Sequence, residues 1–358
     1  MRIMIKQRTY WQEAAGDNDR DYVDICLNWE VILNGPGYAG RFPQCSTLLK
    51  NDDWTSKKIT DLERFSQEMK DGDIVALRTG TAEINGVGVI VGDYQWNDAF
   101  SDVDGWDLQH VRRVKWLWDK NTKNGPKKFP TYTLKLGDTT QKLTSREVID
   151  WIDSLNLNYD EISDLIELPN ETEKQPRLTI EAIAEYLYGK GASSNSIHNL
   201  SNVIDDLKMI ARWYKNTNPS EFETEAYLLI PLLRALGWTP QKMAVEWNNI
   251  DIVLFNRLPR EEGNLIAVVE AKKKDNSCLT AYSQASYYAK DKANCNRLIV
   301  SDGLRYGVFI KERGEFKLHA YMNLTDFKAE YPIYECKGIR EALWSMTPDW
   351  LPDDAKEV

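Results

Sequence analysis

The 358-residue chain is 42% apolar and 28% charged with a formal net charge of −10, a composition typical of a globular protein with two or three domains. It has no apolar run of about 18 residues, which argues against a membrane span, and its charged N-terminus does not resemble a signal peptide. The five cysteines are scattered and form no CxxC pair. The sequence therefore predicts neither a zinc site nor a disulfide framework, and a reducing cytoplasm is the expected compartment.

Residues 1–167 predict a domain of short strands joined by glycine turns. DGDIVALRTG predicts a turn and a strand, and AEINGVGVIVGDYQW carries Asn85-Gly86 between two apolar runs. That pair predicts a type I′ hairpin. HVRRVKWLW predicts a further strand, TYTLKL a short one, and EVIDWIDSL a helix. Strands of this kind favour a small β-barrel or a curved sheet.

A basic segment interrupts the acidic chain between His110 and Lys128, with seven Lys or Arg and one Asp. Trp116 and Trp118 are interleaved with these charges. Such a segment can bind phosphates, although most basic surface strips are only solvated.

The polar segment 168–178 carries two prolines and predicts a linker to a second domain, 179–358. Three helices are predicted next. LTIEAIAEYLYGKG ends at Gly191, SNVIDDLKMIARWYK begins after Ser201 as N-cap, and NPSEFETEAYLLIPLLRALGW begins after Asn218 and kinks at Pro231.

An α/β pattern follows, in which NNIDIVLF, NLIAVVEAKK, NRLIVSDG and YGVFIKE predict strands and SCLTAYSQASYYAKDKA predicts a helix. NRLPREEGN fits a hairpin loop that would bring Asp251 and Glu270 together at one sheet edge. Lys272 lies two residues after Glu270 and therefore shares its face. Converging carboxylates repel each other, and a hard cation such as Mg²⁺ would remove the repulsion and support phosphodiester hydrolysis. Taken alone, a turn-capping aspartate and an edge ion pair would be the simpler interpretation.

These residues resemble the PD-(D/E)xK nucleases, and in particular the N-terminal nuclease domain of type I restriction-enzyme motor subunits. The resemblance covers roughly residues 215–315 and rests on five motifs in order: ETEAYLLIPLLRALGW, DIVLF, VVEAKK, QASYY and VSDG. VSDG departs from the more usual Asn-Gly phrase, so only that loop differs from the family pattern.

The resemblance implies that Asp251 and Glu270 are metal ligands and that Lys272 is the catalytic lysine. It implies Mg²⁺ as the cofactor, with Mn²⁺ as a substitute. Gln284 and Tyr288, one helical turn apart, would face the active site and help to position DNA. An upstream acid would complete the metal shell. Its best match is Glu223, with Glu221 and Glu225 as the alternatives.

The first domain is similar to PUA-like domains, of the EVE and related kinds, found at the front of modification-dependent restriction proteins. The resemblance covers about residues 10–118 through GD (72–73), GVGVIVGDY (86–94) and HVRRVKW (110–116). Such domains hold a flipped base in an aromatic pocket. The candidate walls are Trp11, Trp29, Tyr94 and Trp96, and for any one of them a role in the core is the alternative. The candidate DNA-backbone contacts are Arg112, Arg113, Lys115 and, in the second domain, Lys274.

Together these patterns predict an α+β protein with an N-terminal PUA-like β-barrel domain and a C-terminal restriction-endonuclease-like mixed sheet flanked by helices. The predicted function is a modification-dependent, type IV-like restriction endonuclease that cuts double-stranded DNA carrying a modified base, most simply a modified cytosine, in defence against phage and other foreign DNA. The alternatives are a nuclease that reads unmodified DNA or repair intermediates, and a non-cutting reader. The chain has no GxxxxGK[ST] phrase, so any NTP-driven motor would belong to a partner. Cutting both strands favours a homodimer on DNA.

Overall fold

The computed structural model describes residues 8–16, 20–160, 164–214, 217–274 and 277–351. The chain divides into two compact units, Met1–Gln175 and Pro176–Val358, and this boundary falls inside the segment 168–178 predicted as a linker. Among the described residues, no helix combines the length and the apolar character that a membrane span requires.

The first unit is built on one seven-stranded sheet among its described residues, and this sheet curls into a half-barrel. Its strands and helices are β1 (Tyr10–Ala14), α1 (Val23–Asn28), β2 (Val31–Asn34), α2 (Ser46–Asn51), α3 (Ser56–Glu63), β3 (Ile74–Thr79), β4 (Glu83–Trp96), β5 (His110–Asp119), β6 (Lys127–Lys128), β7 (Thr140–Lys142) and α4 (Arg146–Ser154). The strand order is β2-β5-β4-β3-β1-β7, with β6 beside β4. β1 and β3 run parallel, whereas the other pairs are antiparallel.

The predicted hairpin turn at Asn85-Gly86 is wrong, because both residues lie inside the continuous strand β4. The chain turns earlier, at residues 80–82. Asn85 is buried, and its side-chain amide donates to Thr79 Oγ1 at 3.1 Å. Gly86 makes room for an aromatic ring, since a Cβ atom there would lie 3.0 Å from Trp116 Cε3. The glycine therefore serves close packing between strands and not a turn.

The short strand predicted at TYTLKL is also wrong, because residues 131–136 form a turn followed by irregular chain. Tyr132 is 77% exposed and Leu136 is 71% exposed, whereas Leu134 is buried. The apparent alternation thus reflects one anchoring leucine, and the strand in this region is β7 instead.

The second unit contains an eight-stranded mixed sheet among its described residues, in the order β14-β15-β13-β12-β11-β10-β9-β8. Its elements are α5 (Ile180–Gly189), α6 (Ser194–Trp213), α7 (Glu221–Thr224), α8 (Ile230–Ala235), β8 (Met243–Trp247), β9 (Ile250–Phe255), β10 (Leu265–Ala271), α9 (Tyr282–Ala289), β11 (Arg297–Ser301), β12 (Arg305–Glu312), β13 (Glu315–Asn323), β14 (Glu330–Tyr331), β15 (Cys336–Lys337) and α10 (Ile339–Ser345). The predicted mixed sheet flanked by helices is confirmed.

Helices cover both faces of this sheet. Helices α5, α6, α8 and α10 pack on one face, where they contact inward residues such as Val269. Helix α9 packs on the opposite face against Val268 through Ala285 and Ala289. It also links β10 to its parallel neighbour β11, as a crossover connection must. Because strand residues alternate, Glu270 shares the α9 face with Val268.

Two predicted helix caps are wrong. The helix expected after Ser201 begins earlier, with Ser193 as its N-cap and Ser196 N donating to Ser193 Oγ. The helix expected after Asn218 is capped by Ser220. The kink expected at Pro231 corresponds to a π-helical turn, Glu225–Leu229, between α7 and α8. Pro231 has no N–H to donate to the carbonyl group four residues earlier, which lies in this turn. The wider π-helical turn accommodates the missing hydrogen bond.

Candidate functional site

An acid pair lies where the hairpin β9–β10 meets the carboxyl end of β10. The two strands are antiparallel, with Val269 opposite Ile252, so the beginning of β9 lies beside the end of β10. Ala271 N donates a hydrogen bond to Asp251 Oδ2 at 2.7 Å. The predicted approach of Asp251 to Glu270 is therefore present, and the strand register itself produces it.

Glu270 is fully buried, at 0% exposure. Its Oε1 accepts a hydrogen bond from Gln284 Nε2 at 3.0 Å, whereas its Oε2 receives none from a described donor. Burial, and then the neighbouring Asp251 carboxylate, raises the pKa of Glu270 to about 9. A group with this pKa is protonated at neutral pH, because its ionised form would be costly to bury without a partner; a bound cation would favour the carboxylate form.

The Gln284 side chain joins the predicted lysine to the predicted acid. Lys272 Nζ donates to Gln284 Oε1 at 3.0 Å, and Gln284 Nε2 donates to Glu270. An ammonium group can only donate, so the amide oxygen must face Lys272 and the amide NH₂ must face Glu270. The amide thus fixes the position of Lys272 relative to the acid pair.

The Asp251 carboxylate lies close to two further carboxylate groups. Oxygens of Glu221, Glu225 and Asp251 all lie within 4.8 Å of one another. Glu221 is more accessible to solvent than Glu225, which is buried. Burial, followed by the Asp251 charge, raises the pKa of Glu225 to about 7. Negative charge is therefore concentrated at one point with no described cation within the group.

Glu223, the upstream acid that best matched the family pattern, does not join this group. Ser220 N donates to Glu223 Oε2 at 2.7 Å, and Glu223 N donates to Ser220 Oγ at 3.1 Å, which forms a capping box. These hydrogen bonds lower the pKa of the exposed Glu223 carboxyl. The S-x-x-E spacing from Ser220 was the sequence signal that assigns Glu223 to the cap. The two alternatives, Glu221 and Glu225, take the place beside Asp251.

The VSDG loop holds the acidic helix in position. A Cβ atom at Gly303, whose φ is +86°, would lie 2.7 Å from Leu228 Cδ1 and 2.9 Å from Thr224 Cγ2. The loop therefore packs directly against the turn that carries Glu225. Asp302 is buried and accepts hydrogen bonds from the Arg305 backbone and guanidinium groups, so it shapes the loop and does not enter the site.

Two further predicted residues are placed differently. Tyr288 is half-buried and packs against the apolar cluster between α9 and the sheet; its hydroxyl makes no hydrogen bond with the described residues. Lys274 is only 8% exposed, and its backbone N–H donates to Thr224 Oγ1. The prediction that Lys274 contacts the DNA backbone is therefore wrong, because its side chain is buried.

The donor set fits a hard divalent cation. Mg²⁺ and Mn²⁺ prefer carboxylate oxygens, and the site offers Asp251, Glu225 and Glu221 together with the unsatisfied Oε2 of Glu270. Burial and the neighbouring carboxylates raise the pKa values of Glu225 and Glu270, because both disfavour ionisation, and a divalent cation would favour the ionised forms.

Three of the four predicted pocket aromatics of the first unit use their polar atoms internally. Trp11 Nε1 donates to Asp73 Oδ2 at 2.9 Å, and Trp96 Nε1 donates to the Gly37 carbonyl at 2.9 Å. Both indoles are buried. Tyr94 is half-buried, and its hydroxyl contacts His110. These three side chains stabilise the unit, which was the alternative role, and Trp29 is half-buried at the C-cap of α1.

An exposed aromatic pair that the sequence analysis missed lies on the same unit. Tyr38 is 42% exposed and Trp54 is 39% exposed. Trp54 Nε1 donates to the Tyr38 hydroxyl at 3.2 Å, and that hydroxyl donates to Asp52 Oδ2 at 2.5 Å. The contact spans 16 residues between two loops and had no local sequence signal. The pair presents an apolar surface to solvent of the kind on which a base can stack.

The three basic residues of β5 are bound within the unit, which contradicts their predicted contact with the DNA backbone. Arg112 is 3% exposed. Its guanidinium group donates to backbone carbonyl groups of the π-helical turn Arg64–Glu68, including that of Phe65 at 2.9 Å. Lys115 forms an ion pair with Glu30 at 2.6 Å, and Arg113 donates to the Glu30 carbonyl at 3.5 Å. Arg112 and Arg113 thus donate to backbone carbonyl groups, and Lys115 is paired with a carboxylate.

His110 makes the stability of the first unit dependent on pH. The buried ring shares a hydrogen bond of 2.9 Å with the Pro36 carbonyl through Nε2 and one of 2.6 Å with the Tyr94 hydroxyl through Nδ1. A carbonyl can only accept, so Nε2 carries a proton, and the Tyr94 hydroxyl can then donate to an unprotonated Nδ1. Burial lowers the pKa of His110 to about 4, compared with about 6.5 in the unfolded chain.

Because the folded-state pKa is depressed, the unfolded state binds more protons between these two values. The stabilisation is complete above about pH 6.5 and is lost as the pH falls toward 4, by about 3 kcal/mol. Urea unfolding of the full chain, followed between pH 7 and pH 4, should show this loss in the transition of the first unit. The variant His110→Gln keeps one donor and one acceptor but does not titrate, so its unfolding should lack this component; an unchanged pH dependence would contradict the assignment.

Residues 15–133 match a family model described as a domain of unknown function (DUF8426). The match lies within the first unit and ends well before Asp251. No curated protein matches the chain.

Proposed function

We propose that the second unit is a Mg²⁺-dependent DNA endonuclease of the PD-(D/E)xK type. The observation that carries this proposal is the Gln284 amide, which joins Lys272 to Glu270 beside the carboxylates of Asp251, Glu225 and Glu221. An edge ion pair would need neither the amide link nor the concentration of acids.

The carboxylates of Asp251, Glu225 and Glu221 would hold the ion, Mg²⁺ or its substitute Mn²⁺, with Glu270 beside Asp251 as a further ligand. When bound, the ion polarises a phosphoryl oxygen and lowers the pKa of a water molecule. The carboxylates orient this chemistry, because their positions are fixed by the strand register and by the packing of the VSDG loop on α7 and the π-helical turn.

Lys272 supplies the positive charge that phosphodiester cleavage needs beside the reacting group. One of its three N–H donors is bound to Gln284, which leaves two that can donate to a phosphate oxygen or to a water molecule. A donor fixed in advance stabilises the charge that develops in the transition state without reorganisation. Gln284 acts by positioning this ammonium group.

For the first unit we propose a modified-base reader that directs cleavage to DNA carrying a modified cytosine, in the cytoplasm, in defence against foreign DNA. The motif resemblance at residues 72–73, 86–94 and 110–116 supports this proposal. The exposed pair Tyr38 and Trp54 offers a stacking surface in place of the buried indoles. A homodimer on DNA would supply two active sites, and a separate motor protein would supply any NTP-driven movement.

The proposal is tested with wild-type protein on one plasmid prepared with and without cytosine modification, in Mg²⁺ or in EDTA. We expect the protein to cleave only the modified plasmid, and only when Mg²⁺ is present. Equal cleavage of both plasmids would overturn the modified-base reader, and no cleavage of either in Mg²⁺ or Mn²⁺ would overturn the nuclease.

An aromatic variant separates the two units in the same assay. Trp54→Ala should remove the preference for modified DNA, whereas Tyr132→Ala, which removes an aromatic ring 77% exposed elsewhere on the unit, should keep it. A preference that survives in Trp54→Ala would show that the reading surface lies elsewhere.

A further inference from the structure

We infer that a groove between α9 and the β12–β13 hairpin binds the phosphates of the DNA strand that flanks the cut. The groove has a volume of about 460 Å³ and is lined by Ser283, Ser286, Tyr287, Lys290 and Lys311, among others. The inference rests on the proposed nuclease function, since it extends the DNA path from the active site along this helix.

Helix geometry connects the groove to the active site. Ser283, Ser286, Tyr287 and Lys290 follow the i, i+3, i+4, i+7 spacing, so they share one face of the helix. Gln284, which holds Lys272, follows Ser283 in the same helix and projects about 100° around the axis from it, so the groove face and the active-site side are adjacent sides of α9. From Ser283 to Lys290 the helix rises about 10 Å, which corresponds to about three nucleotides along one DNA strand.

The chemistry of the lining suits phosphate groups. Neither Lys290 nor Lys311 forms an ion pair with a carboxylate among the described residues, although the chain carries a net charge of −10. Tyr287 is 75% exposed. Lysine, serine and tyrosine side chains are common donors to DNA phosphates. The acidic residue of the lining is Glu315, which leaves the two lysines in excess.

The floor of the groove is already ordered. Tyr282 stacks on Phe309 with ring centroids 4.4 Å apart, and its hydroxyl donates to the Phe316 carbonyl at 3.1 Å. Lys311 Nζ lies 5.6 Å from the centre of the Phe316 ring. A strand entering the groove therefore meets a rigid aromatic base with lysines at its rim, and few side chains must be ordered on binding.

The groove is tested by the salt dependence of DNA binding. The full-length double variant Lys290→Ala/Lys311→Ala is compared with wild type by fluorescence anisotropy on duplex DNA, in EDTA, across a series of KCl concentrations. Each phosphate contact contributes about 0.9 to the slope of log K against log salt. We expect the slope of the double variant to be smaller by about 2.

The matched control is Lys317→Ala/Lys337→Ala, which removes the same charge. Their side chains are 62% and 61% exposed, and Lys317 points to the face of β13 opposite Phe316. We expect this control to keep the wild-type slope.

A slope in Lys290→Ala/Lys311→Ala that equals the control would overturn the groove, even if wild type cleaves DNA in Mg²⁺. A reduced slope together with no cleavage by wild type would overturn the nuclease and leave the groove as a DNA-binding surface.

Discussion

Replacing Lys272 by methionine should slow Mg²⁺-dependent DNA cleavage about 10²- to 10³-fold, the usual cost of removing one fixed donor from a charged transition state. Methionine keeps much of the apolar stem of lysine but removes the ammonium group. It leaves Gln284 bound to Glu270. Affinity for DNA measured in EDTA should be unchanged, because one charge beside the reacting phosphate contributes little to the whole electrostatic attraction. Single-turnover cleavage under excess protein gives the rate constant directly.

Lys273→Met is the matched control for this prediction. It removes the same charge one residue further along the chain, where neither Gln284 nor Glu270 is contacted through a described hydrogen bond. We expect cleavage at the wild-type rate. If Lys272→Met also cleaves at the wild-type rate, Lys272 is not the catalytic lysine and the contact with Gln284 is only structural.

The core of the candidate site could be predicted because its determinants are local. Glu270 and Lys272 share a face through the two-residue period of a strand, and Asp251 reaches them through a hairpin whose loop composition is visible in the sequence. The family resemblance predicted that Gln284 faces the active site, but it did not predict the contacts of its amide with Lys272 and Glu270. Its two hydrogen bonds depend on where α9 packs.

At two places the sequence allowed two interpretations, and the predicted one was wrong. Glu223 had the better family alignment, but its position three residues after Ser220 places it in a capping box, and that hydrogen bonding outweighed the alignment. Asn85-Gly86 has the chemistry of a turn, yet the glycine was needed beside Trp116. A glycine in a strand has two uses, and the sequence alone does not distinguish them.

The surface of the first unit could not be predicted, because the partners of its polar side chains are distant in the chain. Trp11 is 62 residues from Asp73, and Arg112 is 47 residues from Phe65. Aromatic and basic residues are suited to binding DNA and equally suited to buried hydrogen bonding. Only the packing of the half-barrel decides which use each side chain has.

Asp251→Asn should weaken Mn²⁺ binding by more than the 10- to 100-fold that is typical when a residue supporting a metal ligand is lost. The asparagine oxygen can still accept the hydrogen bond from Ala271 N, so the hairpin should keep its geometry. Its neutral side chain also relieves the repulsion with Glu270 that contributes to the raised pKa of that residue. Isothermal titration calorimetry without DNA measures the affinity independently of cleavage.

The unfolding temperature of Asp251→Asn should differ from that of wild type in opposite directions without and with Mn²⁺. Without metal, Asp251→Asn should unfold at a higher temperature than wild type, because a negative charge beside Glu221 and Glu225 is gone. With Mn²⁺, wild type should gain stability and the variant should not, since only a ligand bound to the folded state stabilises it. The control is Glu223→Gln, which removes one negative charge two residues from both Glu221 and Glu225 while glutamine still completes the capping box. It should bind Mn²⁺ as wild type does; a loss equal to that of Asp251→Asn would show that general negative charge, and not the cluster around Asp251, attracts the ion.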